Sequence, residues 1–319
     1  MKALVVKRTN ESPELQETAS ERPKESQILL KIHACGLNFA DLLMAKGEYQ
    51  DTPKPPFTLG MEVCGEVLEQ GPGVDTPKVG ERVVVFAGQG GLAEEGVFPA
   101  ELCRPVPDQM PDTVAAGFQV AYGTSHLVLS RRANLQAGET LLVLGAAGGV
   151  GLTAIEVGKA MGARVIAVAR GPNKLRVAEE AGADHLIDSN TSDLAESLKA
   201  LGGVDVVYDP VGGSVFTAAL RACKREARVI VIGFASGELP KIPANILLVK
   251  NITVIGFYWG GYLKFNPQAL SDSLDELMQW YADGKLRPHV SHVLPLNRAN
   301  EALELLRSRA STGKVVVTP

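Results

Sequence analysis

Seven residues, Gly145-Ala146-Ala147-Gly148-Gly149-Val150-Gly151, carry the clearest chemistry in the chain. They follow Thr140-Leu-Leu-Val-Leu144, which is apolar on both faces, as a central parallel strand is. They open a stretch with helical periodicity from about Gly149 to Met161. A small-residue turn between strand and helix lets the backbone approach a pyrophosphate, and the helix N-terminus adds free N–H groups and a partial positive charge. Gly151 is where helix and strand must come closest. The competing reading of the same residues is a Gly-rich turn in an α/β domain without a nucleotide.

The next strand decides which dinucleotide fits. An NAD site places Asp or Glu about 20 residues on, at the end of the second strand, to hold the ribose hydroxyls. Here that strand ends Val168-Ala169-Arg170-Gly171-Pro172-Asn173-Lys174, with no carboxylate. Arg170 and Lys174 stand where a 2′-phosphate would lie. A hydrogen bond to a charged group is worth about 1.5–3 kcal/mol, so two of them favour NADP over NAD by an order of magnitude or more. The expected cofactor is NADPH. The alternative for both cations is a solvated loop.

These residues need elements to hold them. From Met1 to about Arg104 the pattern is β, with strands at Lys2–Val6, Ile28–Ala34, Val63–Glu69 and Arg82–Ala87 punctuated by Gly and Pro. That predicts a compact domain resembling a distorted β-barrel. From Glu139 to Phe257 strands and helices alternate, which builds a doubly wound parallel sheet. In the tail a helix over Pro267–Asp283, a strand at His289–Leu294, a helix capped by Asn297 and a strand at Lys314–Val317 have no sheet of their own. They are expected to fold back on the β domain. The resulting domains are 1–119 with 262–319, and 120–261.

Bulk properties narrow the function. With 319 residues, 45% hydrophobic and 21% charged, the chain has the make-up of a soluble globular protein. Its net charge of -4 gives no basic field for nucleic acid or an anionic membrane. The apolar run at the N-terminus is too short for a signal peptide and reads as a strand. No run of about 18 apolar residues is present, so no membrane span is expected and the default location is the cytoplasm. Cys35, Cys64, Cys103 and Cys223 are widely spaced and read as buried hydrophobes in a reducing compartment. The five histidines are dispersed.

Four stretches together resemble the medium-chain dehydrogenase/reductase superfamily, and within it the zinc-free quinone oxidoreductase branch. They are Ala34-Cys-Gly-Leu-Asn-Phe-Ala-Asp41, Leu59-Gly-Met-Glu-Val-Cys-Gly65, the Gly145–Gly151 turn, and Gly182-Ala-Asp184 with Val206-Val-Tyr-Asp-Pro-Val-Gly-Gly213. The resemblance implies an α/β fold, a Rossmann domain joined to a GroES-like β-barrel domain. Zinc-dependent members carry Cys where Asn38 stands and Gly-His-Glu where this chain has Gly60-Met61-Glu62. A catalytic zinc takes three Cys, His or carboxylate ligands, which Asn38 and Met61 cannot supply, so no metal is expected.

Without a Lewis acid, hydride transfer suits an acceptor that is already electrophilic, a quinone or an activated alkene. The resemblance implies that Asn38 and Tyr49 line the substrate cleft. Asn38 takes the ligand's place facing the nicotinamide, Tyr49 donates a hydrogen bond or proton, and Asp41 orients the loop. Thr124 falls in a stretch similar to the family's Thr-containing hinge helix and is assigned to the carboxamide end of the cofactor. Gly233, Phe234, Phe257 and Trp259 fall at the carboxyl edge of the sheet, where ligands bind. For the three aromatics, core packing is the other reading. Ser189 stands where some relatives have a Tyr beside the adenine phosphate. The leading expectation is an NADPH:quinone reductase. The alternatives are an enoyl- or acryloyl-type reductase of an activated C=C bond, and a non-enzymatic NADPH-binding relative with a structural or nucleic-acid role. The apolar edge strand Ile252–Phe257 predicts a homodimer.

Overall fold

The computed structural model describes residues 1–190 and 193–319. The chain divides into two compact units, Met1–Val120 with Pro288–Pro319, and Ala121–Arg287.

The Ala121–Arg287 unit holds a six-stranded sheet. Its order is His185–Asp188, Arg164–Ala169, Thr140–Leu144, Val204–Asp209, Cys223–Val231, Thr253–Gly256, and every ladder is parallel. Thr140–Leu144 lies inside the sheet and is buried at each position, as its unbroken apolar run predicts. Arg164–Ala169 is added on one side of it and Val204–Asp209 on the other. Thr140–Leu144 therefore borders the point where strand order reverses, and ligands of doubly wound sheets bind at the carboxyl ends there. The Gly145–Gly151 turn leaves from that end. Beneath it, Leu142 and Leu144 share a core with Val168, Val207, Phe216 and Leu198.

The helix Pro267–Ala282 groups with this unit, whereas the sequence reading assigned everything from residue 262 onward to the β domain. Its buried face explains the difference. Leu270, Leu274 and Leu277 are covered, Ser273 Oγ lies 2.8 Å from His126 Nδ1, and Trp280 meets the His126 ring edge-on at 5.0 Å. The second boundary thus falls after Arg287.

The other unit is built on one long strand, Gln27–Gly36. The hydrogen-bonded path runs Val290–Pro295, Lys314–Thr318, Gln27–Gly36, Glu62–Gln70, Arg82–Phe86, Cys103–Pro105, with Glu95–Pro99 also paired to Gln27–Gly36. A second sheet joins Glu14–Glu17, Lys2–Val6 and Phe57–Thr58. Among the described residues no ladder joins the two ends of this path, so the barrel-like sheet is not closed by hydrogen bonds. The tail from Val290 does return to this unit, through Val316↔Gly36 and Val317↔Cys35. The expected cap at Asn297 is not there. Leu296–Arg298 form a 3-10 turn, and the helix Ala299–Arg307 starts behind Arg298, whose guanidinium is paired with Glu301 in the first turn.

Candidate active site

In the β-rich unit the strand Gln27–Gly36 delivers the chain to Asn38, which sits in extended conformation before the helix Phe39–Lys46. The Asn38 N–H donates to Asp41 Oδ2 at 2.7 Å, and the Asp41 N–H donates to the Asn38 carbonyl at 3.0 Å. This reciprocal cap holds the loop. Asp41 is 0% exposed, and its Oδ1 has no hydrogen-bond partner among the described residues. Burial, above all, raises its pKa to about 7. The Asn38 amide, the Lys314 charge and the Gly60 amide oppose that rise, and Glu62 adds to it.

The Asn38 side chain is held between opposite charges. Its Nδ2 donates to Glu62 Oε1 at 2.9 Å and to the Gly36 carbonyl at 3.4 Å. Its Oδ1 accepts from Lys314 Nζ at 2.8 Å. Glu62 is 1% exposed and Lys314 7%. The amide hydrogens of Asn38 are thus committed within the loop rather than turned out as donors. Sequence reasoning assigned Asn38 but missed Glu62 and Lys314 as its partners. One signal was present: Lys314 is a cation opening an otherwise apolar strand, Lys314-Val-Val-Val317.

Tyr49 is half-buried and lies beyond that helix. Its carbonyl accepts from the Thr52 N–H at 3.1 Å and the Thr52 hydroxyl at 2.6 Å, which fixes a turn. Met61 is buried. Cys35, Cys64 and Cys223 are buried and Cys103 is half-buried. Desolvation pushes all four thiols up, Cys103 and Cys223 to about 12, so none is activated as a nucleophile.

In the nucleotide unit the geometry is made by backbone. Gly145 has φ +60°, a left-handed conformation that a side chain strains. A Cβ on Gly151 would lie 2.4 Å from the Gly145 carbonyl oxygen, so only glycine allows this approach. Gly148 is the N-cap of the helix Gly149–Ala160, and no side chain caps its first N–H groups. Ala146 and Ala147 are buried, and Gly148 is exposed. This is a cradle whose free volume exists because side chains are missing, and it fits a pyrophosphate.

Arg170 is exposed at the end of Arg164–Ala169, and Lys174 is half-buried in the first turn of Pro172–Glu180. The sequence reading counted acids along that strand alone. Register adds one, because Asp188 lies beside Ala169. Its Oδ1, however, accepts from the Gly171 and Asn190 N–H groups at 3.2 and 2.9 Å. That carboxylate braces the loop. Ser189 gives its N–H to the Ala169 carbonyl at 3.0 Å and its hydroxyl to the same oxygen at 3.4 Å.

The remaining assignments separate. Thr124 is buried in Gln119–Leu127. The next residue, Ser125, meets Thr153 Oγ1 at 2.8 Å and the Tyr208 hydroxyl at 3.1 Å, which fixes that helix to Gly149–Ala160. Gly233 and Phe234 follow Cys223–Val231, and Phe234 is 40% exposed. Phe257 and Trp259 are buried instead. Phe257 stacks at 5.6 Å on Tyr262, and the Trp259 indole fills the space that a side chain at Gly123 would take. For these two, packing describes the contacts seen.

The geometry agrees with what the chain is similar to. The family model described as "Alcohol dehydrogenase GroES-like domain" matches residues 24–108, and that described as "Zinc-binding dehydrogenase" matches residues 149–281. A "Quinone oxidoreductase-like protein 2 homolog" of Nematostella vectensis is 41% identical over 305 residues, covering 94% of this chain and 83% of that protein. The quinone oxidoreductase of Thermus thermophilus, solved also in complex with NADPH, superposes with a TM-score of 0.89 at 35% identity over 100% of both chains. The quinone oxidoreductase of Escherichia coli complexed with NADPH gives a TM-score of 0.92 at 29% identity, again over 100% of both chains. The chain therefore belongs to the quinone oxidoreductase branch of the medium-chain dehydrogenase/reductase superfamily.

Proposed function

We propose that this protein is an NADPH-dependent quinone oxidoreductase. It moves a hydride from NADPH to a quinone, which takes up one proton and leaves as hydroquinone. The observation that carries the reading is the glycine cradle joined to a cationic strand end whose one neighbouring acid, Asp188, is taken up by the Gly171 and Asn190 N–H groups. Gly151 leaves room for the turn, and Arg170 and Lys174, exposed and half-buried just after the second strand, are the cations assigned to a 2′-phosphate.

Bound NADPH supplies the hydride. The chain's own residues do the rest. The backbone of Gly145–Gly151 holds the pyrophosphate, and Arg170 and Lys174 select the phosphorylated ribose. Thr124 and Phe234 are assigned to the cofactor's reactive side. Asn38 and Tyr49 are assigned to the acceptor, with Tyr49 as hydrogen-bond or proton donor to its oxygen and Asp41 as the brace of the loop. An acceptor that is electrophilic by itself needs no stronger polarisation, and an activated alkene meets the same condition.

Two further features belong to this reading. The strand Thr253–Gly256 closes one edge of the parallel sheet, and Leu239, Leu248 and Val249 near it in sequence are exposed. An edge strand with apolar neighbours is suited to pairing with a second copy, so the working form is a homodimer. Four unpaired cysteines support a reducing compartment, the cytoplasm. No helix among the described residues is long and apolar enough to cross a membrane.

Steady-state turnover with NADPH against 1,4-benzoquinone-type acceptors and crotonyl and acryloyl thioesters tests the assignment. Quinone turnover with thioesters inert is the expected result. Turnover of thioesters alone would make the protein an alkene reductase, and none with either acceptor despite tight NADPH binding would refute the enzyme. With quinones, Tyr49→Phe is expected to lose about tenfold in kcat, the order of one hydrogen bond.

A further inference from the structure

Lys314 is a nearly buried ammonium with three acceptors. Its Nζ donates to the Leu37 carbonyl, to Asn38 Oδ1 and to Glu62 Oε1, each at 2.8 Å. An ammonium has three hydrogens, so its donors are fully used. The stem reaches this point beside Gly117, where a Cβ would stand 3.0 Å from Lys314 Cε. Glu62 is anchored in turn, its Oε2 accepting from the Val120 N–H at 3.0 Å. The three side chains come from positions 38, 62 and 314, so distant parts of the sequence meet on one amide.

We infer that Lys314 is a positioning residue for the reaction, an internal cation that fixes the orientation of the Asn38 side chain and ties the last strand to the loop Gly36–Asp41. The warrant is electrostatic. An Asn amide can usually rotate by half a turn with little change in shape, and its orientation is set by its partners. Here a half-turn would point Nδ2 at the ammonium and Oδ1 at the carboxylate. Two full charges of opposite sign therefore select one orientation, and removal of the cation leaves Glu62 alone to do so. Glu62 could still bind Nδ2, but Oδ1 would lose its ionic donor, and the ladder contacts Val316↔Gly36 and Val317↔Cys35 would lose the tether beside them. Asn38 is thus one end of a charged bridge, and its capacity toward an acceptor is what that bridge leaves over.

The inference rests on the reading of Asn38 as an acceptor-side residue, and the test separates the two. Side-chain amide hydrogen exchange is followed in the wild-type protein and in Lys314→Met and Lys314→Arg, together with kcat and KM for a 1,4-benzoquinone and the Kd of NADPH. In the wild type the Asn38 amide is expected to exchange at least about tenfold more slowly than the exposed Asn173, as a doubly bonded amide should. In Lys314→Met that protection falls, and kcat per folded molecule drops about tenfold while the Kd of NADPH stays within about twofold. In an Asn38→Ala background the same substitution changes kcat by less than about threefold, since the coupled partner is gone. Lys314→Arg keeps the charge but not a single three-way donor, so protection falls partway. It decides the matter if Lys314→Met does not fold. Unprotected Asn38 in the wild type, or full protection in a folded variant, overturns the inference. So does a Lys314→Met that is merely less stable with kcat unchanged. A wild type without quinone turnover refutes the activity, and the exchange data then decide the role of Lys314 alone.

Discussion

The two units carry candidate regions built by opposite means. In the nucleotide unit the candidate surface is backbone, a turn contiguous in sequence from Gly145 to Gly151 whose shape depends on side chains being absent. In the β-rich unit it is a knot of side chains from three distant stretches, the half-buried Asn38 with the buried Asp41, Glu62 and Lys314. One region offers space and partial charge at a helix end. The other positions by balancing buried charges, where each group is costly without its partners. The first should therefore fail by steric intrusion, and the second by charge removal.

The largest effect expected is at the turn. Gly151→Val drives side-chain carbon into the Gly145 carbonyl and displaces the cradle. A misplacement of this kind costs about a hundredfold in kcat/KM, and NADPH titration should show the loss as weaker binding. Retained affinity would mean that the phosphates are held elsewhere.

Next comes charge removal. Lys314→Met leaves Glu62 buried without its cation and should cost about 3–5 kcal/mol in a urea titration. Adding Glu62→Gln should recover part of that cost, because no uncompensated charge remains. If the double variant is as unstable as the sum of the singles, the pair is not coupled.

The contrast in construction also explains what the sequence revealed. The turn was legible because its signal is local: strand, small residues and helix in one run. The sheet was legible for the same reason, since Thr140–Leu144 and Arg164–Ala169 are read at their observed bounds. Lys314 was not, because a lysine at the start of a strand is ordinarily solvated, and its partners lie more than 250 positions away. Asp188 was missed because register, not spacing, puts it beside Ala169. The helix Pro267–Ala282 was assigned to the wrong unit because an amphipathic pattern tells that a face is buried but not against what.

A smaller effect sharpens the charged half. Asp41 has its folded pKa raised from 3.8 to about 7. The folded state then holds more protons than the unfolded state between those values. This contribution to stability is full below the unfolded pKa and is lost as pH rises through the folded one. Stability should therefore fall between about pH 4 and about pH 7 by more in the wild type than in Asp41→Asn, which has nothing to titrate. Equal slopes in urea titrations at about pH 5 and about pH 8 would place the pH dependence on another group.

The central claim is that this chain uses NADPH to reduce quinones, with Arg170 reading the 2′-phosphate. The most direct measurement is kcat/KM for NADPH and for NADH with one quinone acceptor, in the wild type and in Arg170→Ala. The account predicts a wild-type preference for NADPH of an order of magnitude or more, reduced about tenfold in the variant through NADPH alone, as expected for one hydrogen bond to a charged group. Equal efficiency with the two cofactors in the wild type, or a preference untouched by Arg170→Ala, would contradict it.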